Sequence, residues 1–187
     1  GMLYDIDTAF AYYDFDNNGY MRTGWYKSGN NWEYAKSNGR VCNDEWYKIN
    51  GEWYYFDGFY MSTKWKEIDS KWYYFGSDGA MRTGWKKLGS YWYAFNSNGA
   101  MRTGWYKESG KWYYLKPENG RMAEGWNKVN GYWYYLKPGS GVMQSGWQKI
   151  GGYWYYLDPS NDSRMASGWN KINGYWYYID STNKVLY

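Results

Sequence analysis

All 16 tryptophans of this chain fall into eight pairs with one spacing, the second Trp seven residues after the first. The pairs are Trp25/Trp32, Trp46/Trp53, Trp65/Trp72, Trp85/Trp92, Trp105/Trp112, Trp126/Trp133, Trp147/Trp154 and Trp169/Trp176. Four and five residues after each first Trp stand Gly29-Asn30, Asn50-Gly51, Asp69-Ser70, Gly89-Ser90, Ser109-Gly110, Asn130-Gly131, Gly151-Gly152 and Asn173-Gly174. These residues tolerate positive φ or favour turns. Asn-Gly between alternating aromatic and aliphatic residues is the strongest short hairpin signal. Each Trp-to-Trp segment is therefore expected to be a β-hairpin. Successive units start 19 to 22 residues apart, and all the drift follows the second Trp. Variation confined to one segment marks the loop. A fixed period of this size outweighs the prior, from a length of 187, of one or two globular domains.

A two-residue turn sets the register. In the unit Gly125–Leu136, Val129 faces Tyr132, Lys128 faces Trp133 and Trp126 faces Tyr135. Alternation then puts Trp126, Lys128, Trp133 and Tyr135 on one face, and Val129, Tyr132, Tyr134 and Leu136 on the other. An isolated hairpin is marginal in water, whereas stacked hairpins bury what each leaves exposed. The expected architecture is an all-β solenoid of stacked β-hairpins. Met21, Met61, Met81, Met101, Met122, Met143 and Met165 follow the loops and are placed to fill the gaps between hairpins. The array is expected over residues 21–187, with a partial repeat at 1–20. There Tyr12-Tyr13-Asp14-Phe15 precedes Asn18-Gly19-Tyr20-Met21 as Trp72-Tyr73-Tyr74-Phe75 precedes Asp78-Gly79-Ala80-Met81, and is read as the second strand of an interrupted unit. Gly1 ahead of Met2 is expected to be a remnant of cloning, with a functional module upstream.

Composition narrows the function. The absence of histidine removes the usual general base and the commonest metal ligand. The carboxylates lie mainly in turns and loops, such as Asp57, Asp69, Asp78, Glu118 and Asp180, so an enzyme is not expected. Asp14–Gly19 resembles a calcium loop but lacks its twelfth-position Glu, and no metal or cofactor is expected. Cys42, four residues before Trp46, stands where other units have Met and is expected to be a packing residue. One cysteine excludes an internal disulfide. The net charge of +4 comes without a basic run, and the lysines recur once per unit, so no nucleic acid is expected. No stretch is apolar for long enough to span a membrane, and no signal peptide is visible.

The aromatics suggest binding. Mean hydropathy is −0.96 although 26% of residues are aromatic. Tyr and Trp pack while keeping a polar tip in water. Two Trp diagonal on one face, closed by a Tyr of the same face or of the adjoining hairpin, make a three-walled box. Such a box suits a quaternary ammonium group, which is drawn to ring faces and cannot hydrogen bond. The alternative is that the aromatics only hold the stack together.

The unit Gly-Trp-x-Lys-x-x-Gly-x-Trp-Tyr-Tyr-Leu, followed by Gly-x-Met-x-x-Gly-Trp, resembles the choline-binding (cell-wall-binding) repeats of Gram-positive surface proteins and wall hydrolases, over about residues 10–180. The resemblance implies a solenoid of hairpins, choline boxes built from two Trp with a Tyr and often a Met, and attachment at the bacterial surface to choline-decorated teichoic or lipoteichoic acids. The residues it points to are Trp65, Trp72, Tyr74, Trp85, Trp92, Trp105, Trp112, Tyr114, Met122, Trp126, Trp133, Tyr135, Met143, Trp147, Trp154, Tyr156, Met165, Trp169, Trp176 and Tyr178. Related repeats that bind glucans or host glycans usually lack the regular paired Trp, which ranks that reading second. Several positions depart from the pattern: Glu45 and Lys64 for Gly, Glu33 for the first Tyr, and Ala94 for the second Tyr. Sites in the N-terminal units are doubtful on this ground, and a box relying on Ala94 should lack a wall.

Overall fold

The computed structural model describes residues 2–5 and 8–180; residues 181–187 of the expected array and residues 1, 6 and 7 of the expected partial repeat lie outside them. The described chain is an all-β stacked-hairpin repeat fold. Strand Gly125–Val129 pairs with Tyr132–Leu136 with Trp126 opposite Tyr135, Lys128 opposite Trp133 and Val129 opposite Tyr132, the register that alternation predicts. The same register recurs in Gly104–Glu108 with Lys111–Leu115, Gly146–Ile150 with Tyr153–Asp158, and Gly168–Ile172 with Tyr175–Ile179. The turn chemistry is the cause. Asn130 and Gly131 sit at φ 49° and 87°. Two successive positive-φ residues make a type I′ turn, whose twist matches that of the strands.

The chain divides into two compact units, Gly1–Lys86 with Phe95–Met101, and Lys87–Ala94 with Arg102–Tyr187. In the first, hairpins built on Trp25/Trp32, Trp46/Trp53 and Trp65/Trp72 follow one another. In the second the hairpins carry Trp105/Trp112, Trp126/Trp133, Trp147/Trp154 and Trp169/Trp176. Strands Gly84–Leu88 and Tyr91–Phe95 form a further two-stranded sheet, whose residues are shared between the units.

Within each unit the Met loop links one hairpin to the one before it. The Met81 N–H donates to the Trp53 carbonyl at 2.8 Å in the first unit, and the Met143 N–H to the Trp112 carbonyl at 2.8 Å in the second. The Met also bridges the end of its own hairpin, as in Phe75↔Met81 and Leu136↔Met143. Its side chain then fills the next loop. A Cβ on Gly141, which sits at φ 67°, would overlap the Met122 sulfur, so the glycine answers to both backbone and space. The inner residues at strand ends, Phe56, Phe75, Leu115, Leu136 and Leu157, are fully buried. Burial of each such side chain contributes about 1.5–3 kcal/mol.

Two places differ from expectation. Val41, not Cys42, takes the place of Met: the bridge Ala35↔Val41 matches Phe75↔Met81. One extra residue between this bridge and Trp46 shifts the count made back from the tryptophan. The Cys42 N–H instead donates to the Tyr34 carbonyl at 2.9 Å, the role of Arg82 toward Tyr74. Cys42 is fully buried, and that burial pushes its thiol up to about 12. Near the start, the strand is Thr8–Tyr12 paired with Met2–Asp5, while Phe15↔Met21 and the bond from the Arg22 N–H to the Asp14 carbonyl repeat the loop pattern. Within Asp14–Gly19, Asp16 Oδ1 accepts the N–H groups of Asn18 and Tyr20 at 2.9 Å, so it closes a turn.

Candidate functional site

The paired strands fix the tryptophans as two walls of a corner. Ring centroids of Trp105 and Trp112 lie 6.4 Å apart at 88°, those of Trp126 and Trp133 6.5 Å apart at 89°, and those of Trp25 and Trp32 6.4 Å apart at 89°. Trp65 and Trp72 repeat this at 6.4 Å and 76°. Edge-to-face contact is a favoured arrangement for rings carrying a quadrupole, and here it holds one indole perpendicular to the other.

Trp25, Trp46, Trp105, Trp126 and Trp147 each lie between two tyrosines of different origin. The second Tyr of its own hairpin lies across the strand pair: Tyr114 is 5.0 Å from Trp105, Tyr135 5.1 Å from Trp126, Tyr156 4.9 Å from Trp147, Tyr74 5.2 Å from Trp65 and Tyr178 5.3 Å from Trp169. The first Tyr of the following hairpin comes from the other side: Tyr134 is 4.8 Å from Trp105, Tyr155 4.7 Å from Trp126, Tyr177 5.3 Å from Trp147, Tyr54 5.1 Å from Trp25 and Tyr73 4.9 Å from Trp46. The two hairpin faces thus meet each other, the Trp face of one against the Tyr134-type face of the next.

Two cavities open where these walls converge. In the second unit, Trp105, Trp112, Tyr134 and Met143 line a cavity of about 320 Å³ together with Asn130, Asp162 and Arg164. In the first unit, Trp25, Trp32, Tyr54 and Met61 line one of about 350 Å³ with Ser77 and Asp78. The Tyr wall is the first Tyr of the following hairpin, whereas Tyr114 packs behind Trp105 without lining the cavity. Ala94, fully buried, occupies the Tyr114 type of position and so removes no wall of this kind. The Met is the one after that following hairpin. Met122 packs on Gly141, as Met61 does on Gly79, and Met165 bridges Leu157. Alternation alone assigns Tyr134 to the opposite face of its own hairpin, so the residues singled out in the sequence omit it, although a Tyr of the adjoining hairpin is among the walls the sequence allows. The Trp25/Trp32 cavity likewise lies outside the residues the sequence pattern singles out, because departures from the pattern stand near it. Those departures have local partners: Glu45 meets Lys36 at 2.7 Å and Arg40 at 3.2 Å, and Glu33 accepts the Tyr26 hydroxyl at 2.9 Å.

The second Trp of each pair remains reachable: Trp112, Trp133, Trp72, Trp92 and Trp154 are all about two-fifths exposed. Lys107 Nζ lies 5.5 Å from the Trp112 ring centroid, and Lys27 Nζ 5.3 Å from that of Trp32, which shows these rings receiving a cation. At the end of the described chain, Trp169 and Trp176 are 70% and 64% exposed. Trp85 lies in strand Gly84–Leu88. Among the described residues, no three His, Cys, Asp or Glu side chains cluster to hold a metal ion.

The choline-binding repeat family matches residues 62–87, 82–125 and 123–169, and a putative cell wall binding repeat matches 44–58 and 167–182. Among solved structures, CbpJ from Streptococcus pneumoniae is 32% identical with a TM-score of 0.85, covering 100% of this chain and 73% of its own. Choline binding protein F from Streptococcus pneumoniae is 30% identical with a TM-score of 0.81, covering 99% and 72%. The modular autolysin LytC from Streptococcus pneumoniae, solved with a synthetic peptidoglycan ligand, is 29% identical with a TM-score of 0.60; the match covers 94% of this chain and 41% of the autolysin. No curated protein sequence matches.

Proposed function

Because the chain belongs to the choline-binding repeat family, we propose that it is a non-catalytic, multivalent wall-binding module that seats the choline groups of teichoic or lipoteichoic acids in its Trp/Tyr boxes, at the bacterial cell surface. The observation that carries this reading is the corner of Trp105 and Trp112 closed by Tyr134 and Met143. Three ring faces around one void offer negative potential without a carboxylate among the aromatic walls. A trimethylammonium group loses little hydration on entering, and each ring contact contributes about 0.5–2 kcal/mol. Less the cost of association, a single box should bind choline with a dissociation constant on the order of 1 mM. Firm attachment then depends on several boxes engaging one polymer. Boxes of the same plan are assigned to Trp25/Trp32, Trp126/Trp133 and Trp147/Trp154. Perpendicular indoles disfavour a glucan, whose rings need a flat platform with hydrogen-bond partners.

The test is retention on a choline- or DEAE-type resin with elution by free choline, against retention on dextran. Trp133→Leu keeps much of the apolar area and removes the π face. Its earlier elution with an unchanged circular dichroism spectrum supports the reading. Parent-like elution of the folded variant, or retention on dextran alone, would falsify it.

A further inference from the structure

The two cavities share their aromatic walls and differ in the residues contributed by the loop two hairpins further along. In the first unit that loop brings Ser77 and Asp78, and in the second Asp162 and Arg164. Resting on the choline reading, we propose that the Trp105/Trp112 box recognises choline together with the phosphate esterified to it, and that Arg164 is the anion contact that the Trp25/Trp32 box lacks.

Four observations on Arg164 carry this. It lines the same cavity as the aromatic walls. Its guanidinium lies 4.0 Å from the Tyr132 ring centroid, so the group is held in place by stacking. Its Nε is buried without a hydrogen-bond partner, which leaves the terminal nitrogens as the donors it can offer. One of them reaches Asp162 at 3.4 Å, long for a charge-assisted bond, and Asp162 is 81% exposed. Such a pair contributes little and yields readily to a better acceptor. In the first unit Ala80 stands where Arg164 does, just before the loop Met. Arg82, just after Met81, is turned to Asp78, whose two oxygens its Nη2 meets at 2.8 and 2.9 Å, and Asp78 rather than Arg82 lines the cavity.

The ligand chemistry fits this asymmetry. In a choline ester only two methylenes and an oxygen separate the ammonium from the phosphorus. A phosphate therefore stays beside a seated trimethylammonium, within the residues that surround it. A guanidinium matches two phosphate oxygens in one plane. The Asn130 side chain, which also lines this cavity, supplies a neutral donor. Both boxes carry a carboxylate in their lining, Asp78 in one and Asp162 in the other, and only the Trp105/Trp112 box adds a guanidinium to it.

The experiment compares choline with glycerophosphocholine, a phosphodiester of fixed single negative charge. Binding to the full chain is followed at the indole resonances of Trp112 and Trp32, assigned by their loss in Trp112→Phe and Trp32→Phe. In the parent, Trp112 should prefer glycerophosphocholine over choline by about two- to five-fold, the size of an exposed charge contact. Arg164→Gln should abolish that preference, costing more glycerophosphocholine affinity than choline affinity at Trp112, while both affinities at Trp32 stay unchanged; Arg164→Lys should retain part of the preference. An equal loss for both ligands in Arg164→Gln makes Arg164 a packing residue and overturns the proposal, as does an unchanged preference. If neither ligand moves Trp112 in the parent, the choline reading fails first. Phosphatidylcholine vesicles and phosphocholine-substituted teichoic acid separate the two sources of this group. Weaker co-sedimentation of Arg164→Gln with either supports the assignment, and weaker co-sedimentation with neither overturns it.

Discussion

The Trp25/Trp32 and Trp105/Trp112 boxes are built alike and finished differently. Each has perpendicular indoles 6.4 Å apart, a Tyr from the following hairpin and the Met beyond it. Those walls follow from the hairpin register, which the turn fixes, and from the stacking of one hairpin face on the next. The remaining lining comes from loops, where Asp78 stands in one box and Asp162 with Arg164 in the other. The comparison separates two tasks: the period makes the aromatic cage, and the loops tune what may sit beside it. The first unit also holds the departures Glu33, Glu45 and Lys64, yet its box is complete. Regularity of the walls survives because these substitutions fall outside them and find partners or conformations of their own.

The strongest way to break the likeness is through a glycine. A Cβ at Gly79, φ 76°, would overlap the Met61 sulfur, and Met61 lines the Trp25/Trp32 box. Gly79→Ala should cost about 1–3 kcal/mol of stability from strain and overpacking. It should weaken choline at Trp32 while sparing Trp112, as calorimetric melting and the two indole titrations can check. Gly141→Ala, whose Cβ meets Met122, should cost as much stability without touching the Trp105/Trp112 lining.

Next in size, Trp112→Leu should remove about 1–2 kcal/mol of binding at its own box. Retention on choline resin should fall by more than one box's share, because the sites act together. Binding at Trp32 should remain, and resin elution beside the Trp32 titration reads both effects. A smaller contrast tests which tyrosine is the wall. Tyr134→Leu should weaken choline at Trp112 by about 0.5–1 kcal/mol. Tyr114→Leu, behind Trp105, should show its effect in melting temperature, with choline affinity at Trp112 changed less. Equal binding losses would show that position behind the indole matters as much as position before the ligand.

Two modest predictions concern the first unit alone. Lys64 sits at φ 63°, where Trp126 and Trp147 are preceded by Gly125 and Gly146. Relief of that strain in Lys64→Gly should outweigh the entropy it adds to the unfolded chain and stabilise by a few tenths to about 1 kcal/mol, measured by urea unfolding. Asp78 gives the smallest effect. Burial alone would raise its carboxyl, but the Arg82 guanidinium, with the Ala80 N–H, outweighs that and holds it below the usual value. A depressed carboxyl adds stability above its unfolded value and loses it as pH falls through the folded one. Asp78→Asn should therefore lower stability slightly at neutral pH, leave the acid end nearly unchanged, and so flatten the limb of the stability profile below about pH 4.

The sequence by itself determined the hairpins and their register. The Asn130-Gly131 turn and the Trp spacing leave one alternation, so Trp126 opposite Tyr135 and Lys128 opposite Trp133 follow from local backbone geometry. It also determined that the tryptophans would share a face and that Met would join neighbouring hairpins, because those are short-range consequences of period and loop length. It left three things open. The place of Met in the Trp46 unit went to Val41, since an inserted residue moves the count but not the bridge. The closing wall went to Tyr134 rather than Tyr114, because a residue on the far face of one hairpin becomes the near wall of another only once they stack. The approach of Asp162 and Arg164 to Trp105 and Trp112 spans two further hairpins. Pairing within a hairpin is set by hydrogen bonds between residues a few positions apart, whereas which loops converge on a box depends on the rotation between stacked hairpins, and that is fixed only by packing.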